Sequence, residues 1–447
     1  MHDPGTALLA AGPMRRLQIV VVALCIALNA LDGFDVLAIS FAAPGIAAEW
    51  GITRATLGVV LSMELFGMAA GSVLIGNVAD RIGRRPTILA CLIVMAAGMF
   101  LAAAASGVAA LSMTRLLTGL GIGGMISSTS ALVAEFSNDR RRGLNVALNI
   151  AGYSTGAILG GVLASALLAA TGDWRTVFVL GGVMTAIALP ITFWLLPESI
   201  DSLMARRPQD ALVRINAILT RLGRESITAL PSRAQYAAKP SIATLFSHGY
   251  TRTTLLLTVA YFAQIMAFYY ILKWTPKIVV DLGFEPAVAG GVLVCANIGN
   301  LLGAIGVGLA SQRFRLRPLI VAAMLAGFAA IAVFGLGFRG VVQLSIVALL
   351  VGLCVNASVV GLYPLMAQIY PASFRASGIG FVIGVGRGGS AVGPIVVGAL
   401  FTAGAGLMLV SLVMGAGALI AATMLLLLPR ELPVVQSNEP ENALLSR

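Results

Sequence analysis

Six ionisable side chains lie inside long apolar stretches of this chain: Asp32, Asp35, Glu64, Arg115, Lys273 and Arg387. If those stretches cross a membrane, each charge costs about 2.5–3.5 kcal/mol at the bilayer centre, even on the lenient insertion scale. Such residues are candidates for function before anything else is known. Asp32 and Asp35 are three residues apart and share a helical face. Two carboxylates that close in a low dielectric do not both ionise easily. A carboxylate that takes a proton on one side of a membrane and releases it on the other is what proton coupling requires. The competing reading is structural, with one or both paired to Arg115, whose estimated depth is similar. Glu64, roughly nine residues into its own run, lies about 13 Å deep at 1.5 Å per residue. Histidine is nearly excluded as a proton carrier, because His2 and His248 both fall outside the apolar runs.

Arg115 and Arg387 carry planar forks that suit a carboxylate and stay charged at any physiological pH. Either could hold an anionic substrate. Either could also be structural, Arg115 in an internal ion pair and Arg387 in helix packing or gating among the glycines of 384–389. Lys273, near the end of its run, is expected to snorkel to the surface. Asn29, Asn149, Tyr153, Gln264, Asn297, Asn300 and Asn356 also lie within apolar runs. Each could line a polar path or simply bond a neighbouring helix; as a set they point to a polar interior. Gly386-x-Gly388 follows no strand and is not read as a phosphate loop. The four cysteines show no metal-ligand spacing, and the residues call for no cofactor and no metal.

The elements that must position these groups follow from composition. Of 447 residues, 59% are hydrophobic and 11% charged, against about 25% charged in a soluble domain. The excess apolar surface must face lipid. Twelve runs are long enough to span, near 17–43, 55–78, 87–106, 109–134, 144–170, 176–196, 253–280, 287–310, 317–336, 341–368, 379–403 and 406–428. The first is read as an uncleaved helix rather than a signal peptide, since it continues past Ala27 and Ala30 without an A-x-A site. The expected organisation is a six-helix bundle over 1–196, a cytoplasmic central loop over 197–250, and a second six-helix bundle over 251–447 that ends in a short cytoplasmic tail. Within the loop, 209–222 reads as an amphipathic helix, lying either in the headgroup plane or against the protein. The net charge of +11 is not interleaved with stacking aromatics, so no nucleic-acid partner is expected. With the N-terminus inside, about 22 of the 29 Lys and Arg fall on the cytoplasmic side, leaving Arg54, Arg175, Lys277 and Arg339 outside. Both termini are then cytoplasmic.

The halves echo one another. Gly76–Arg85 reads GNVADRIGRR between the second and third spans, and Gly308–Arg317 reads GLASQRFRLR between the eighth and ninth. Glu135–Gly143 after the fourth span is loosely matched by 368–378 after the tenth. Repeats six spans apart imply a substrate site between the two halves.

GNVADRIGRR resembles the cytoplasmic loop motif of the major facilitator superfamily, in the correct loop. Arg115-x-x-x-Gly119-x-Gly121 and Pro197-Glu198-Ser199 are similar to further motifs of that group, and the likeness covers essentially the whole chain. It implies that Gly76, Asp80, Arg81, Gly83, Arg84 and Arg85 form a gating loop that stabilises the outward-facing state. Asp80 would sit by the start of the eleventh span, where a helix dipole favours negative charge. Asp32-Gly33-Phe34-Asp35 resembles the signature of the aromatic acid:proton symporters, and Gly384-x-Gly386-Arg387 and Tyr270-x-x-Lys273-Trp274-x-Pro276 are similar to that group. Glu64 is a possible departure from the signature. Ala157 stands where drug:proton antiporters carry proline, which leans against export, although Gly393-Pro394 in the eleventh span tempers that.

The fold expected is therefore all-α, with twelve transmembrane helices in two six-helix bundles. The expected protein is not an enzyme but a monomeric inner-membrane symporter that imports a benzoate-like or hydroxybenzoate-like anion with protons. Asp32, Asp35 and Glu64 would couple protons, while Arg115, Arg387, Asn149, Tyr153 and Gln264 would bind substrate. The alternative is a symporter or exporter of another organic anion, such as a sugar acid.

Overall fold

The computed structural model describes residues 9, 12–230, 246, 250–371 and 375–429. Its helices in the first half are α1 Arg16–Trp50, α2 Arg54–Ile82, α3 Arg84–Ala103, α4 Val108–Glu135, α5 Arg142–Thr171 and α6 Arg175–Leu195. The short α7 Ile200–Arg206 and α8 Ala211–Arg221 follow. The second half holds α9 Thr251–Asp281, α10 Pro286–Ala310, α11 Leu316–Phe334, α12 Val341–Ile369, α13 Arg375–Gly386, α14 Gly388–Thr402 and α15 Leu407–Leu426. Among the described residues twelve spans are long and apolar enough to cross a membrane, α13 and α14 together supplying the eleventh. In lipid every backbone polar group must be satisfied within the segment, and a helix does this without partners.

One span differs from its expected extent. The first run was read as ending at 43, before Pro44-Gly45, yet α1 continues to Trp50 with Pro44 inside it. Neighbouring helices tolerate a proline within a transmembrane helix, and Gly45 there lies against the Trp174 side chain at the start of α6. The longer helix moves Asp32 and Asp35 from its outer part to either side of its midpoint. The eleventh span breaks at Arg387, between α13 and α14.

The internal repeat is visible in the packing. In the first half α2 and α3 lie on α4, and α6 lies on α3; in the second, α10 and α11 lie on α12, and α15 on α11. Glycine permits the closest of these approaches. A Cβ on Gly119 of α4 would run into the Glu64 carbonyl of α2, and one on Gly352 of α12 into the Ala296 carbonyl of α10. The same close-packed seam is thus built twice.

The two faces of the bundle differ in charge. Arg81, Arg84, Arg85, Arg140–Arg142 and Arg206 mark a basic face, while Arg54, Arg175 and Lys277 lie at the opposite, charge-poor face. Across the halves α2 meets α14, α5 meets α10, and α1 meets α9 and α10. Several of these meetings lie toward the charge-poor face: Arg54 Nη2 is 3.0 Å from Asp281 Oδ2, the Ala55 amide donates to Thr402 Oγ1 at 2.9 Å, and Gly58 abuts the Pro394 carbonyl. On the basic face α8 buries Ile215, Ile218 and Leu219 in one apolar cluster with Leu196, Ile200, Leu203 and Met204. Its apolar side is therefore spent on the protein, the second of the two readings open for it.

Candidate functional site

The buried charges form a chain of contacts across four helices. Glu64 of α2 is fully buried; its Oε1 accepts from Arg115 Nη2 of α4, and its Oε2 lies 3.1 Å from Lys273 Nζ of α9. Arg115 Nη2 also donates to the Asp35 carbonyl of α1 at 2.9 Å, and its guanidinium lies 5.4 Å from the centre of the Phe178 ring. Lys273 donates in addition to the Val36 carbonyl of α1. Lys273 belongs to the second half and all its partners to the first, so this triad joins the halves inside the membrane. Desolvating three charges is costly, and removing one partner of such a pair typically costs about 3–5 kcal/mol because the other charge is stranded.

Two expectations change here. Lys273 does not snorkel: it is fully buried, because α9 turns it toward α1 and α2 rather than toward lipid. Nor does Arg115 pair with the Asp32 or Asp35 carboxylate. Both carboxylates are buried, and among the described residues neither has a hydrogen-bond partner for any of its oxygens. Asp35 Oδ1 lies close to Gly181 of α6, which places that carboxylate inside the first bundle.

Nearer mid-membrane a second cluster forms between the halves. Arg387, half-buried at the α13–α14 break, stands within electrostatic reach of Tyr261 and Tyr269 of α9, Tyr363 of α12 and Tyr153 of α5. The Tyr261 and Tyr363 hydroxyls are 3.1 Å apart. Among the described residues no carboxylate lies within ion-pair distance of Arg387. Gln264 of α9 donates to Ser358 Oγ of α12 at 2.6 Å and leaves its Oε1 without a partner. Asn149 of α5 takes the Asn29 side-chain amide on its backbone carbonyl, while its own Oδ1 is unpartnered.

The loop at the basic face is a network of its own. Gly83, at φ 113°, joins α2 to α3 in a backbone region that L side chains avoid, and a Cβ there would strike Glu198. Glu198 Oε1 accepts from the Arg84 and Arg85 amides at 2.8 and 3.2 Å, capping the N-terminus of α3 with a carboxylate. Arg84 pairs with Asp80 at 3.3 Å and with Glu135 at 3.8 Å. Arg206 donates to the Ile82 carbonyl, and Arg85 to the Phe193 carbonyl. Arg81 is exposed and Gly76 half-buried.

A family model of the Major Facilitator Superfamily matches residues 24–336 and, again, 257–446. The chain belongs to the major facilitator superfamily. It is a multi-pass membrane transporter rather than an enzyme. A 4-hydroxybenzoate transporter, PcaK, of Pseudomonas putida is 33% identical over 85% of this chain and 86% of its own length. A gallate transporter of the same organism is 31% identical over 93% of this chain and 92% of its own. Among solved structures, an inward-open xylose transporter of E. coli superposes with a TM-score of 0.71 at 17% identity, covering 92% of this chain and 95% of the other. At that identity the likeness concerns the fold.

As a facilitator fold, the chain brings its flagged residues into three places rather than one. Glu64 and Arg115 join Lys273 in the triad, Tyr153 lies within electrostatic reach of Arg387 across the halves, and the loop residues gather at the basic face. Among the described residues, the Asp32 and Asp35 carboxylates belong to no ion pair. Sequence reasoning missed Tyr261, Tyr269 and Tyr363, which stand within electrostatic reach of Arg387. A signal existed: Tyr261 and Tyr269 are eight residues apart, close to two helical turns and so on one side of α9.

Proposed function

We propose that this chain imports a small aromatic carboxylate together with protons, by alternating access of its two bundles across the inner membrane. The basic face is the cytoplasmic one, by the positive-inside rule, and both termini lie there. Residues 1–196 and 251–447 form the moving halves, linked by the cytoplasmic segment 197–250.

The observation that carries the reading is Arg387, a half-buried guanidinium within electrostatic reach of four tyrosines, three on its own half and one on the other, and without a carboxylate partner among the described residues. A guanidinium offers a carboxylate two parallel hydrogen bonds. Tyrosines offer a benzene ring stacking faces and hydroxyl partners. Arg387 is the substrate cation in this reading, with Tyr153, Gln264 and Asn149 supplying unsatisfied polar atoms nearby. Arg115, occupied by Glu64, supports the site from within the first bundle. The named substrates of the relatives, 4-hydroxybenzoate and gallate, support the same class.

Asp32 and Asp35 are the coupling groups, and Glu64 ties proton occupancy to the contact between halves. A monoanion entering against an inside-negative potential meets about 2.3 kcal/mol per 100 mV. Each pH unit returns about 1.36 kcal/mol per proton. One proton cancels the charge, and a second lets the potential assist.

The test is a competition panel against uptake of labelled 4-hydroxybenzoate in proteoliposomes. Benzoate, gallate and other aromatic acids are expected to compete, and sugar acids are not. No uptake of 4-hydroxybenzoate, with uptake of a labelled sugar acid instead, would replace the substrate class and leave the transporter standing.

A further inference from the structure

The charge-poor face carries a cleft that neither the triad nor the tyrosine cluster uses. It has a volume of about 490 Å³, within the range for small-molecule sites, and lies between the halves. Its apolar wall comes from α1 (Pro44, Ala47, Ala48) and from Val280 of α9; Phe401 of α14 adds an aromatic face. Arg54 and Lys277 bring two cations. Both share one carboxylate, Asp281: Arg54 Nη2 at 3.0 Å and Lys277 in direct contact. Arg54 also lies 5.4 Å from the centre of the Phe401 ring. One positive charge is thus left over beside an aromatic face. Lys277 stands four residues beyond Lys273 on α9, one turn farther toward this face, so it is positioned directly outward of the buried triad.

We propose that this cleft is an outer docking site where an aromatic carboxylate is held before the halves part. Its carboxylate would take the surplus positive charge of Arg54 and Lys277, in competition with Asp281, and its ring would lie on Phe401. This deepens the function proposed above and rests on it for the class of ligand. Docking here concentrates anions at a face otherwise poor in cations, and draws Arg54 from the Asp281 contact that bridges the halves.

Two variants separate docking from a purely structural bridge. Arg54→Gln combined with Lys277→Gln removes the cations and the bridge together; Asp281→Asn removes the bridge and leaves the cations. For uptake of 4-hydroxybenzoate, the double variant is expected to raise KM about fivefold, the scale of two solvent-exposed charge contacts, with the larger effect on KM than on kcat. Asp281→Asn is expected to lower KM. If both variants raise KM alike, or neither moves it, the docking site is overturned while the transport reading stands. If wild type takes up no aromatic acid, the transport reading fails separately. Equilibrium dialysis of labelled benzoate against the protein in nanodiscs then decides the cleft. Loss of one class of sites in the double variant upholds it, and equal binding by both proteins overturns it.

Discussion

Glu64 divides its two oxygens between Arg115 on its own half and Lys273 on the other. Its loss strands two buried cations, whereas loss of Lys273 leaves Glu64 still paired. Glu64→Gln is therefore expected to destabilise the protein by about 3–5 kcal/mol and Lys273→Met by less. The double variant should be less damaged than the sum of the two, a coupling that thermal unfolding in detergent can read. Strict additivity would mean the contact carries no coupling. Arg387 gives a second prediction at this scale. Arg387→Lys keeps the charge and loses the fork, so KM for 4-hydroxybenzoate should rise about tenfold, or roughly 1.4 kcal/mol. An unchanged KM would remove Arg387 from the substrate site.

The helices and their order were legible in the sequence, because twelve apolar runs of spanning length leave little choice. What failed was the end of α1: the run near 17–43 stops short of Pro44-Gly45, which continues as helix and packs against Trp174. Depth could be counted along a run, but direction could not. Lys273 was placed near the end of its span, yet which way α9 turns it depends on α1 and α2, more than 200 residues away in sequence. The partner of a close-packing glycine is visible only in the fold. Gly58 now has one, the Pro394 carbonyl across the halves. Gly58→Val is expected to hold α2 off α14 at the outer face. In a cysteine-free background, Val294→Cys on the α5–α10 seam should then react faster with an impermeant maleimide. Unchanged reactivity would show that α2–α14 contact does not set the closure.

Over the whole molecule, two ion clusters lie at different depths of the same machine. The triad and the Arg54–Asp281 contact tie the halves, the latter at the charge-poor face. The Asp80, Arg84, Glu135, Glu198 and Arg206 network orders the loop at the basic face. Alternating access needs two states within a few kcal/mol of each other. Strong ties on one side alone would trap the carrier, so weakening the outer ties should move the population toward the outward-facing state. The Asp32 and Asp35 carboxylates, buried and without a hydrogen-bond partner among the described residues, are the proposed proton sites.

The most direct measurement is uptake of labelled 4-hydroxybenzoate into proteoliposomes, with and without an acid-outside pH gradient, for wild type and Asp32→Asn. Wild type should accumulate substrate only with the gradient, and Asp32→Asn should lose that accumulation while still exchanging substrate across a gradient-free membrane. Accumulation that ignores the gradient, or that survives in Asp32→Asn, would contradict proton coupling through this carboxylate.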